Sequence, residues 1–118
     1  MSGAMSKNPE IAGEKKDVPF ATQFTVDMPS GSVTKGILQP GWKWSTHIKP
    51  MIGGELCQAP HFGVVIEGSL TILQDGVETI CNAGDVLHAT PGHDAWVNGN
   101  QTVVMYEFAQ TNLFAHKK

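Results

Sequence analysis

Five histidines and two cysteines are the side chains of this sequence best suited to hold a metal or move a proton. Four of the seven are candidate ligands: Cys57 and His61 by strand-like spacing, with His47 and His93 as further donors from neighbouring strands or a mouth loop. Residues two apart on a strand face the same way. Glu55, Cys57 and His61 share parity, as do Lys43, Ser45, His47 and Lys49. If the first set points inward, a carboxylate, a thiolate and an imidazole converge in an apolar interior. Cys with His suits Zn²⁺, Cu or Fe²⁺, and carboxylate with His also suits Fe²⁺ or Mn²⁺. The expected cofactor is therefore a divalent transition metal (Zn, Fe, Mn, Ni or Cu) held by His61, Cys57, His47 and His93. Imidazole binds as the neutral ring near pH 7, and its second nitrogen can be fixed by a neighbour, for which Asp94 is the candidate. An open coordination position would activate water or O₂, or polarise a carbonyl.

Plainer roles compete for the same residues. Glu55 follows Gly53-Gly54 and reads as a solvated turn residue. Cys57 fits equally as a small buried apolar side chain. His88 and His116 read as surface residues, and Cys81 as structural. Trp42 and Trp44 share one face and read as a cover for the core or for a subunit contact. Trp96 is the aromatic expected to line a ligand cavity. Phe62, Val65, Met105 and Phe108 read as core packing.

The elements that must position these groups are short. The chain has 118 residues, enough for one domain, with 13 Gly and 7 Pro. Residues 1–17 are small, polar and charged without periodicity and read as a flexible arm. Beyond them, apolar blocks are closed at short intervals by Gly, Pro, Asn or Asp. The blocks are Phe20–Val26, Val33–Gln39, Trp42–Lys49, Glu55–Gln58, Phe62–Glu67, Ser69–Gln74, Val77–Cys81, Asp85–Thr90, Ala95–Asn98 and Thr102–Ala109. Asp75-Gly76 between two apolar runs is a two-residue hairpin signal. Many short strands at close spacing predict an all-β sandwich or barrel over 18–112, followed by a tail at 113–118.

Two segments carry a further rhythm. They are His61-Phe-Gly-Val-Val-Ile-Glu-Gly68-Ser-Leu-Thr-Ile72 and Gly84-Asp-Val-Leu-His-Ala-Thr-Pro-Gly92-His-Asp-Ala-Trp96. Together they resemble the two motifs of the cupins, small jelly-roll β-barrels, and more narrowly the small single-domain bacterial cupins. The resemblance implies a jelly-roll β-barrel, a metal or small ligand inside it, and association as a homodimer. Counted back from Gly68, the motif's Glu position falls on His61 and its His pair on Cys57 and Glu55. Counted from Gly41, the first His falls on His47, with Lys49 at the second. In the second motif Gly92 fits, the His position is Ala95, and His93 lies two residues before it. The usual three-His, one-Glu set is thus not reproduced.

Composition closes off other classes. The formal charge is −3 and all eight basic residues are Lys, so the Arg forks of nucleic-acid and phosphate readers are missing. No apolar run approaches the ~20 residues that span a bilayer. No phosphate loop or Gly-x-Ser-x-Gly elbow is present. Two cysteines make no disulfide framework, and the expected compartment is cytoplasmic. The expected partner is a small molecule, with neither nucleic acid nor membrane. The sequence therefore points to a cupin barrel binding a metal ion or a small organic ligand. The alternative is a small metal-dependent enzyme of dioxygenase or isomerase type, using His61 with Cys57, His47 or His93.

Overall fold

The computed structural model describes residues 3–53, 56 and 60–109. Two antiparallel sheets form the body. The larger contains β1 (Glu14–Val18), β2 (Ala21–Met28), β3 (Gly31–Leu38), β9 (Val103–Ala109), β4 (His61–Glu67) and β7 (Val86–Ala89), in that order. The smaller contains β6 (Val77–Asn82), β5 (Ser69–Gln74) and β8 (His93–Val97). The expected all-β jelly-roll architecture is what the chain adopts. The Asp75-Gly76 hairpin forms as its residues dictate. Gln74 pairs with Val77, and both loop residues take positive φ (54° and 77°), the combination a primed turn requires.

Alternation along the strands builds the interior. Gly63 and Val65 of β4, Leu70 and Ile72 of β5, Leu87 and Ala89 of β7, Ala95 and Val97 of β8, and Val103 and Met105 of β9 are all buried. Val65 and Val103 are completely enclosed. Phe62 and Phe108 differ from expectation. They lie on the outer face of the large sheet, about half exposed, with ring centroids 6.0 Å apart. Their parity is opposite to that of Val65 and Met105, so all four cannot share the core.

The N-terminal segment is not a featureless arm. Pro9–Ala12 form α1, a single turn started by Asn8, whose side chain accepts the Glu10 N–H. Pro9 stands in the first turn, where its missing N–H is harmless. Glu14–Val18 then pair in register with β2. All but Val18 in β1 are exposed, so no apolar alternation announces the strand, and its charges blunt an open sheet edge. The tail at 113–118 lies outside the described residues.

The block Trp42–Lys49, expected as a strand, forms helical turns instead: α2 (Trp44–His47) and α3 (Lys49–Ile52). Pro50 suits the start of α3. The turn at α2 lacks a capping side chain of its own, and a residue from β8 takes that role, as described below. Among the described residues no helix is long and apolar enough to cross a membrane.

Cys81 on β6 is buried at 4% exposure, and burial, aided by the nearby Asp85 carboxylate, pushes its thiol pKa up. The thiolate is the reactive form. The Cys81 peptide should therefore stay unmodified when the native protein meets iodoacetamide at pH 7.5, and react once urea is added. Rapid native labelling in peptide mass spectra would contradict this placement.

Candidate functional site

Between the inner sheet faces lies a cavity of about 270 Å³. Its wall is mostly hydrocarbon: Leu38, Leu70, Ile72, Leu87, Ala95 and Met105, closed on one side by Trp42, Trp44 and Ile48. His61, His93 and Glu107 supply polar groups to the same wall. Lys16 of β1 and Gln23 of β2 also line it and are solvent exposed, so they mark the mouth. Its size sits near the lower end of the range for small-molecule sites, roughly 300–1,000 Å³.

Strand parity and one close approach assemble the polar group. His61 opens β4 on the face of Gly63 and Val65. Gly63 is paired with Glu107 of β9, which places Glu107 diagonally from His61. With no side chain at position 63, the carboxylate can lean across, and Glu107 Oε1 is hydrogen-bonded to His61 Nδ1. In the neutral ring Nδ1–H donates, so Nε2 is the basic nitrogen. His93 begins β8 and is 2% exposed. Its Nδ1–H donates to the Thr90 carbonyl at 2.8 Å, which fixes the same tautomer. The two rings meet edge to face, centroids 4.8 Å apart and planes at 73°. A carboxylate-oriented imidazole in an apolar cavity is suited to accept a proton or to orient a polar ligand.

The structure brings together two of the four expected ligands, His61 and His93. Cys57 and Glu55 lie outside the described residues. His47 is not at the cavity. It sits on α2, where its Nδ1 accepts the Lys43 N–H at 3.1 Å and its ring stacks on Phe20 at 4.3 Å. The helical turn there breaks the strand parity on which its inward placement rested. Trp96 is also displaced from its expected role. It alternates with Ala95 on β8, faces away from the cavity, and carries the Lys43 ammonium 5.1 Å from its ring centroid. Trp42 and Trp44 line the cavity in its place. Asp94 does not orient His93. Its Oδ1 accepts the Ser45 N–H at 3.1 Å and the Ala95 N–H at 2.8 Å, so it caps α2 from β8.

Glu107 is the functional group that motif spacing missed. Its signal was present: Val103, Met105 and Glu107 share parity, so a carboxylate continues a buried apolar face. A protein metal site uses three or four donors. Among the described residues, no group of three or more His, Cys, Asp or Glu side chains is placed to hold an ion. Glu107 is committed to the His61 ring, leaving two imidazoles, so the described residues alone do not fit a metal centre.

A larger groove of about 480 Å³ runs between β6 and β7 and includes Asp75, Asp85 and His88. These three make no hydrogen bond or ion pair with one another, and the groove gathers no comparable polar group.

Comparison with known proteins identifies the architecture. No protein-family model matches the sequence, and neither does any curated protein. Solved structures do match. A cupin-superfamily sugar phosphate isomerase from Silicibacter pomeroyi is 15% identical, with 89% of this chain and 75% of that one covered at a TM-score of 0.64. An RmlC-like cupin from Shewanella frigidimarina is 16% identical, with 97% and 99% covered at 0.59. KdgF from Halomonas sp. is 16% identical, with 95% and 99% covered, also at 0.59. At such low identity the likeness establishes the fold alone, and that fold is the cupin jelly roll.

Proposed function

We propose that this cupin-fold chain binds a small organic molecule in its barrel, with the polar end of the ligand set against His61, His93 and Glu107. The observation that carries the reading is the His61–Glu107 hydrogen bond in the wall of a mostly hydrocarbon cavity. Buried polar groups held by specific partners fix a ligand's orientation, while the apolar wall supplies most of the affinity. The same pair favours a second reading, proton-transfer catalysis of isomerase type. A carboxylate-backed imidazole would take a proton from carbon beside a carbonyl.

A thermal-shift and titration screen of small alcohols, phenols and hydroxy ketones, whose O–H can donate to the free Nε2 atoms, tests the binding site. Compounds that stabilise the wild type should lose about fivefold in affinity in His61→Ala, because a ligand O–H or N–H donating to the unprotonated Nε2 contributes about 1 kcal/mol. They should also fail to bind Ala95→Leu, which grows a side chain into the cavity. Unchanged binding in both variants would remove the cavity from consideration. Elemental analysis of protein purified without added metal gives an independent arm. A stoichiometric transition metal that disappears in His61→Ala would assign these rings to an ion instead. Deuterium uptake from D₂O into a bound ketone, lost in Glu107→Gln, would favour catalysis over binding alone.

A further inference from the structure

We propose that the outer face of the six-stranded sheet is a self-association surface, on which a second copy of this chain packs sheet against sheet. An antiparallel sheet with one face in water normally alternates apolar inside with polar outside. Here the outside is apolar too. The pairing register sets Val33, Phe108 and Phe62 side by side across β3, β9 and β4, and Tyr106, Val64 and Val86 side by side across β9, β4 and β7. All six have the parity opposite to the buried Val65, Leu87 and Met105, so they point away from the barrel interior. Phe62, Phe108 and Val86 are 41–69% exposed.

The area is enough for a dimer. With Ile37, Ile66 and Val104 at its edges, the face offers on the order of 500 Å² of apolar surface, scaled from about 200 Å² for a whole Phe side chain. Apolar patches of that size mark interaction sites. Two such faces bury about 1,000 Å² before any polar rim is counted, which meets the threshold for a specific interface.

Charge selects the occupant. On β3, β9, β4 and β7 the outward-pointing charged residues are Lys35 and Glu67. Lys35 is already matched within the chain by Glu10 of α1, which packs over the β2–β3 end of the face. Glu67 stands at the far end of β4. In a two-fold contact each patch meets itself, so an unmatched charge in its middle would face its own like. This face has none there. A lipid surface or an acidic partner would call instead for a fringe of free cations. A second sheet of the same twist fits a broad, uncharged sheet face, stacking about 10 Å away.

Sedimentation velocity and methyl NMR test this together. The protein should sediment at about twice its 12.7 kDa chain mass at high concentration. With a soluble paramagnetic gadolinium chelate, the Val86 methyls should be shielded as the dimer forms. The Ile80 methyls, 60% exposed on the smaller sheet, should stay open. Phe62→Glu and Phe108→Glu should each raise the dimer dissociation constant at least about tenfold, and Ile80→Glu should leave it unchanged. A monomer at every concentration overturns the proposal, whether the Val86 methyls are open or are covered by another part of the chain. A dimer that leaves Val86 open, or that survives both Phe variants, assigns the contact to a different face and overturns it as well. The wild-type mass and shielding decide the matter even if the variants do not fold.

Discussion

Gly63→Ala should destabilise the protein by about 3 kcal/mol or more, the largest effect expected from any single methyl group at the site. A Cβ at this position would lie 2.0 Å from the Tyr106 carbonyl oxygen and 3.0 Å from the Glu107 Cα. Both obstacles are backbone, in the strand directly paired with β4, so no side chain can rotate away. Relief requires β4 and β9 to separate, and their separation pulls His61 from Glu107. Urea unfolding monitored by tryptophan fluorescence gives the magnitude, and ligand titration of the folded fraction gives the functional consequence. Gly76→Asn is the control. Gly76 sits in the hairpin turn with open space around its Cα, and asparagine tolerates its positive φ, so the change should stay within about 1 kcal/mol. Equal stability losses in the two variants would show that strand spacing at Gly63 is not what the fold depends on.

The second large effect is expected at Asp94, which reaches across 49 residues of sequence to hold α2. The residue is buried, and one carboxylate oxygen takes two backbone N–H groups, those of Ser45 and Ala95. Asp94→Ala leaves both donors without an acceptor, the Ala95 N–H buried and the Ser45 N–H partly so, and a buried orphan costs about 1–3 kcal/mol. A loss of about 2–4 kcal/mol should result. Asp94→Asn keeps an oxygen at the same point and should lose less than half as much. The alanine variant should also weaken ligand binding without touching the ligand, because α2 carries Trp44 and adjoins Trp42, both in the cavity wall. Binding and melting measured on the two variants separate the outcomes. An alanine variant as stable as the asparagine one would show that Asp94 does not cap the helix.

Much of the barrel follows from local chemistry. Two-residue alternation placed Val65, Leu70, Ile72, Val103 and Met105 inside, because burial of one strand face repeats with the pleat. Asp75-Gly76 fixed a hairpin through the backbone angles its residues accept. The same parity argument puts His61 on the inner face, and it extends to Glu107, two residues beyond Met105. Local rules failed where the deciding contact came from elsewhere. Trp42–Lys49 has residues compatible with either strand or helix, and its turn is capped by a carboxylate on β8. Residues 14–18 have no apolar pattern, and only the hydrogen-bonding edge of β2 makes them a strand.

The sequence by itself determined an all-β fold, its hairpin, the inward placement of Val65 and Met105, and the cupin resemblance. Each depends on backbone preference or on which side of a strand a residue occupies, and neighbours along the chain settle both. Only the tertiary structure decided that His61 meets Glu107, 46 residues away, that His93 joins them while His47 does not, and that Trp42 rather than Trp96 walls the cavity. Those outcomes depend on how two sheets stack and where one helical turn is capped. Such distances are set by packing across the barrel, which spacing along a chain does not encode.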